Sequence, residues 1–195
     1  MNLLALSTFL LSSLALLGSP GPGIASLVAV GRTAGLSAGL RYYSGLQLGL
    51  AIAAFGCVLG VASVLAAAAN LMPMMQAIAT LYLLWIAFKT ATAPPRSEGP
   101  VPAPSAKSGA VLGLMNPKTY LAFVSLFAMR AIFPAAPILD LLTKWLLCVA
   151  VMIVVDLAWL LGGVALGRAA MSRGGERAVN ILLATMLVAS ILFAI

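Results

Sequence analysis

Asp156 sits in the apolar run Val151-Met152-Ile153-Val154-Val155-Asp156-Leu157-Ala158-Trp159-Leu160. An ionisable residue in such a run is by default a functional hypothesis, because a charge in a membrane is costly unless it is used or paired. A carboxylate there can load and release a proton. Lys118, in Asn116-Pro117-Lys118, is a second such group. It can pair with Asp156 across a bundle, hold the carboxylate of a substrate, or reach cytoplasmic water along its own stem. Asp156 also has a purely structural reading, as the partner of Lys118 or as a cap on broken backbone.

The third chemical element is backbone. Pro20-Gly21-Pro22-Gly23 removes two amide donors from an apolar helix and frees two residues for unusual geometry. The hydroxyl of Ser19 lies beside it. Carbonyls near Leu17 and Gly18 lose their helical partners. A half-helix N-terminus attracts a carboxylate, and free carbonyls accept from an ammonium, so the pair suits an amino-acid zwitterion. Asn116-Pro117 repeats the interruption almost half a chain later, and Asn116 adds both a donor and an acceptor. A lone proline is read most simply as a kink. Two breaks in corresponding positions of two halves point to a transporter's binding site. The substrate-binding candidates are therefore Ser19, Pro20, Gly21, Pro22, Gly23, Gln47, Asn116, Pro117, Lys118 and Tyr120, with Asp156 for proton coupling. Gln47 is a polar residue in the second apolar stretch, and Tyr120 lies one turn past the second break.

These residues need elements that span a bilayer. Of 195 residues, 63% are hydrophobic and only 8% are charged, against about 25% charged in soluble domains. The chain reads as an all-α, polytopic membrane protein. Histidine is absent and only four residues are acidic, which leaves a poor ligand set for metals and no apparatus for an enzyme. No cofactor is expected. The net charge of +7 falls in loops and calls for no nucleic-acid partner. The start, Met1-Asn2-Leu3, has no positive region, so the first helix reads as a retained span rather than a signal peptide.

A span needs about 20 apolar residues. Six are predicted, over about 3–30, 42–68, 75–89, 109–133, 139–166 and 178–195. A polar stretch over 31–41 and a turn at Asn70-Leu71-Met72-Pro73 separate the first three. Pro-rich residues 92–108 read as a flexible linker between a first repeat, 1–91, and a second, 109–195. Three is an odd number, so the halves have opposite orientations: an inverted repeat whose first and fourth helices are broken. Arg32, Arg41, Lys89, Arg96, Lys107, Arg168, Arg173 and Arg177 fall on one side and Arg130 and Lys144 on the other. That places both termini outside and the linker in the cytoplasm. Glycines 39, 45, 49, 56 and 60 in and before the second span are expected to allow close helix packing.

On these motifs the chain resembles the lysine exporter / homoserine–threonine resistance (LysE/RhtB) family of six-helix amino-acid exporters. The resemblance lies in Pro20-Gly21-Pro22 followed by Gly31-Arg32-Thr33-Ala34-Gly35, in Asn116-Pro117-Lys118, in Asp156 shortly before Trp159, and in Leu81 to Lys89 closing the third span. Gly23 stands where that family usually has Asn or Asp, and Phe127-Ala128-Met129-Arg130 replaces its proline-aromatic signature. The resemblance implies an exporter of amino acids or their derivatives in a bacterial inner membrane, driven by protons. A homodimer is a further expectation. Two other readings compete: a membrane thiol-redox carrier using Cys57 and Cys148, and a metal-cation exporter.

Overall fold

Inside a bilayer no water satisfies the backbone, so a spanning chain must pair its backbone groups within helices or in a closed barrel, and long continuous apolar runs favour helices. A computed structural model describes residues 1–19, 21–91, 105–169, 175, 177, 178, 181, 182 and 185. Among them there is helix and no strand. The helices are α1 (Leu3–Gly18), α2 (Pro22–Ala91), α3 (Ala106–Met115), α4 (Pro117–Phe127) and α5 (Pro137–Arg168). Pro20, residues 92–104 of the expected linker and most of the expected sixth span lie outside the described residues.

Helix α1 begins on Asn2, whose side chain accepts from the Ala5 amide at 3.0 Å, a standard N-cap. Its 16 residues extend about 24 Å, less than the roughly 30 Å hydrocarbon core. The break at Ser19–Gly21 and the first arm of α2 complete the crossing.

The polar stretch expected over 31–41 is not a loop. Helical structure runs through it, and the chain reverses at one residue, Gly35, with φ +75°. The Tyr42 hydroxyl donates to Ser26 Oγ at 3.0 Å, yet 16 residues of straight helix would separate them by about 24 Å. Gly31 and Gly39 also both abut Leu160. Glycine tolerates this left-handed backbone, so the reversal needs no loop. The helical run also continues through Asn70–Pro73, where a turn was expected. A proline costs a membrane helix one bond, which neighbouring groups can replace.

Helices α3 and α4 form a single path bent by 56° at Asn116. Pro117 stands at the start of α4, where its missing amide is not needed. At one end of the bundle the Asn2 amide donates to Ile132 O at 2.8 Å. At the other, Gly167 packs on Arg32 and Gly45 on Ala106, which gathers Arg32, Lys107 and Arg168. The described chain passes at least four times between these ends: residues 1–34, the returning arm of α2, α3 with α4, and α5. By length and composition alone, Pro22–Leu59 and Pro137–Arg168 qualify as spans, with the bent α3–α4 pair as a third.

The packing of these passes depends on small residues. Gly45 and Gly49 on α2 face Gly109 and Gly113 on α3, backbone against backbone. Gly163 and Gly167 on α5 meet the backbone of Val28 and Arg32 in the same way. In lipid, where helices gain nothing by hiding apolar surface from water, such close approach supplies the attraction. Phe9, Leu27, Tyr42, Leu46, Leu112, Phe123 and Leu160 fill the remaining interior.

Candidate functional site

The site is where the two helix breaks meet. Pro117 opens α4 and puts Lys118 in its first turn, so the lysine points back toward α1. Lys118 Nζ donates to Ser19 O at 2.7 Å and to Ser19 Oγ at 2.8 Å. Ser19 is extended, with φ −70° and ψ 140°, so its carbonyl has left the α1 ladder and is free for the ammonium. Ser19 Oγ in turn donates to Leu16 O at 2.8 Å. Gly21 makes the approach possible: a Cβ there would lie 2.8 Å from both Cδ and Nζ of Lys118.

Asp156 comes from the opposite wall. It is 5% exposed and lies on α5, about 24 Å along the helix from Asp140 and 18 Å from Arg168. Gln47, on the returning arm of α2, donates from Nε2 to Asp156 Oδ2 at 2.8 Å and to Met152 O at 3.2 Å. Gln47 therefore holds the acid rather than lining the space beside it. Asp156 and Lys118 both line that space.

The space is a half-open cavity. Its polar wall is Ser19, Gly21, Gly23, Asn116, Lys118, Thr119 and Asp156, and its apolar wall includes Leu16, Leu17, Ile24, Leu50, Ala122 and Met152. About 40 Å³ of it admits the centre of a water molecule, room for roughly three waters. It has an ammonium donor on one side and a carboxylate on the other.

Six of the residues singled out in the sequence thus meet in one place: Ser19, Gly21, Gly23, Asn116, Lys118 and Asp156. Pro22 and Pro117 are buried behind them, and Pro20 lies outside the described residues. Tyr120 does not face the cavity. At about 100° per residue it lies some 200° round α4 from Lys118, and it packs against the core. Thr119 and Ala122 take the wall instead; the proximity of Thr119 to Lys118 was the signal for it. Cys57 and Cys148 are both free and buried, and neither lines the cavity. Among the described residues no three His, Cys, Asp or Glu side chains are grouped for a metal ion.

One buried network was not anticipated. Asp140 Oδ1 accepts from the Ile132 and Phe133 amides at 2.5 and 3.0 Å. Its other oxygen meets Lys144 Nζ at 3.0 Å. Lys144 also donates to Met129 O at 2.8 Å and Phe127 O at 3.4 Å. The pair closes the C-terminus of α4 and the turn into α5. Its sequence signal was the i,i+4 spacing of an acid before a lysine.

The family model for the LysE type translocator matches residues 14–195. The chain belongs to the LysE type translocator family. No curated protein and no solved structure matches it. The matched stretch holds both breaks, Gln47 and Asp156, so the cavity lies wholly within the family's own architecture. Membership makes this translocator a membrane transporter of small molecules, and the family is not enzymatic.

Proposed function

We propose that this protein is a secondary active exporter of amino acids or close derivatives, driven by protons. One observation carries the reading. Lys118 of the second break is bound to Ser19 of the first, beside Asp156, in one half-open cavity. The substrate ammonium takes the place that Lys118 holds on Ser19 O and Oγ. Lys118, once displaced, turns to the substrate carboxylate. Asp156 binds a proton in one access state and releases it in the other, while Gln47 keeps the acid aimed at the cavity. Pro22 and Pro117 keep the backbone groups of the two breaks out of their helices.

This mechanism fits a six-span inverted repeat in a bacterial inner membrane, with both termini outside. The charge asymmetry between the two ends of the bundle supports that orientation. Each half opens with a broken helix, and the breaks meet, as expected where two repeats enclose a site at the midplane. We place a second copy beside the first, because few helices surround the cavity.

The test is a metabolite-efflux screen in cells expressing the protein, with Lys118→Met as the matched control. The expected result is faster appearance of one or a few amino acids in the medium, lost in the control. Equal efflux from both cell lines across the whole screen refutes the proposal.

A further inference from the structure

The glycines of this bundle are of two kinds. At Gly31, Gly39, Gly45, Gly49, Gly109 and Gly113 an added Cβ would run into a neighbouring helix. At Gly21 it would meet Lys118. Gly23 lines the same cavity as Gly21 and behaves differently. A Cβ there would meet Leu46 Cδ2 at 3.8 Å and Asn116 Nδ2 at 3.9 Å, which is ordinary contact. Its φ is not positive, since Gly35 holds that conformation among the described glycines. It sits in the first turn of α2, and within a helix glycine is the less stable choice against alanine. Neither packing nor backbone geometry asks for glycine at position 23.

What glycine leaves is room. Opposite it stands Asn116, 5% exposed, whose Oδ1 is buried without a hydrogen-bond partner. An unpaired buried acceptor carries a free-energy cost that a ligand donor removes. The space that a side chain at 23 would take is thus bordered by Leu46 on one side and by the unsatisfied Asn116 amide on the other.

We propose that Gly23 is the size filter of the cavity. The part of the cargo beyond its ammonium and carboxylate enters the space left by the missing side chain, against Leu46 and Asn116. This rests on the amino-acid reading above and adds the residue that limits which amino acids fit. One added or missing methylene in a hydrophobic pocket changes discrimination by about 10–200-fold.

The experiment measures initial exchange rates in reconstituted vesicles for alanine, threonine, leucine and phenylalanine. It compares wild type, Gly23→Ala and Gly162→Ala. Gly162 has open space around its Cβ position and is not part of the cavity. In Gly23→Ala the half-saturation concentration for the largest cargo that wild type moves should rise at least about tenfold relative to the smallest. The melting temperature in detergent should stay level or rise. A ratio unchanged within about twofold overturns the filter, as does an equal loss for every cargo or the same shift in Gly162→Ala. If wild-type vesicles move none of the four, the amino-acid reading falls and the filter falls with it. If they move them without a change in ratio, the filter alone falls.

Discussion

Replacing Asp156 by asparagine removes the proposed proton site and little else. The two side chains have the same shape, and the asparagine oxygen can still accept from Gln47 Nε2, which now donates to Asp156 Oδ2 at 2.8 Å. Removing a carboxylate from a buried position also removes its desolvation cost, so the variant should fold and reach the membrane. Among the described residues Asp156 is the one carboxylate in the cavity, so the proposed proton-driven mechanism predicts one proton per cycle. A proton falling through one pH unit releases about 1.4 kcal/mol, enough for about a tenfold concentration ratio. Wild-type protein in vesicles with a gradient of one pH unit should therefore build about a tenfold cargo ratio. Two units should give about a hundredfold. Asp156→Asn should build no ratio at either gradient, while one-for-one exchange of labelled cargo continues, because Ser19, Lys118 and Asn116 are untouched. The assay is the steady-state ratio of labelled amino acid across the vesicle wall, read against the imposed gradient. An unchanged pH-driven ratio in Asp156→Asn would refute the assignment. A wild-type slope of two decades per pH unit would refute the one-proton count.

Three further outcomes follow from the same geometry. Lys118→Met removes the ammonium proposed to meet the substrate carboxylate, a charge-assisted bond of the class worth about 1.5–3 kcal/mol, so exchange should slow by at least about tenfold, read as labelled-cargo counterflow. Lys144→Met leaves Asp140 buried without its ion-pair partner, which costs about 3–5 kcal/mol and should lower the melting temperature sharply; Asp140 keeps its bonds to Ile132 and Phe133, so the double variant Asp140→Asn/Lys144→Met should recover part of the loss. Gly49→Val places a side chain against the backbone of Ala110 and should cost at least about 1–3 kcal/mol, whereas Gly56→Ala, with open space around its Cβ position, should be neutral or slightly stabilising in the same melting assay.

Much of the site was legible because its signals are violations of local rules. Proline inside an apolar helix, and a charge far from water, each carry a penalty that sequence alone reveals. That is why Ser19 to Gly23, Asn116 to Lys118 and Asp156 stand out before any fold is known. Tyr120 was misread because sequence distance from a break was taken as direction, while α4 turns about 100° with each residue. The region over 31–41 was misread because polar residues with two arginines resemble a loop. A single positive-φ glycine achieved the reversal inside a helical run. Asp140 and Lys144 were not singled out because their meaning depends on backbone groups of the α4–α5 turn, which no pattern along the chain places beside them.

The sequence by itself determined that this chain is helical and lives in a membrane, since its long continuous apolar runs suit spanning helices and not the alternating strands of a barrel. It also determined where the helices must break, because proline lacks the amide that an α-helix requires. Only the tertiary structure decided what the breaks do. That Lys118 donates to Ser19, that Gln47 holds the acid, and that an added Cβ at Gly21 would strike Lys118, all depend on distances between segments about a hundred residues apart. Local sequence rules reach only about one turn of helix, and packing sets the rest.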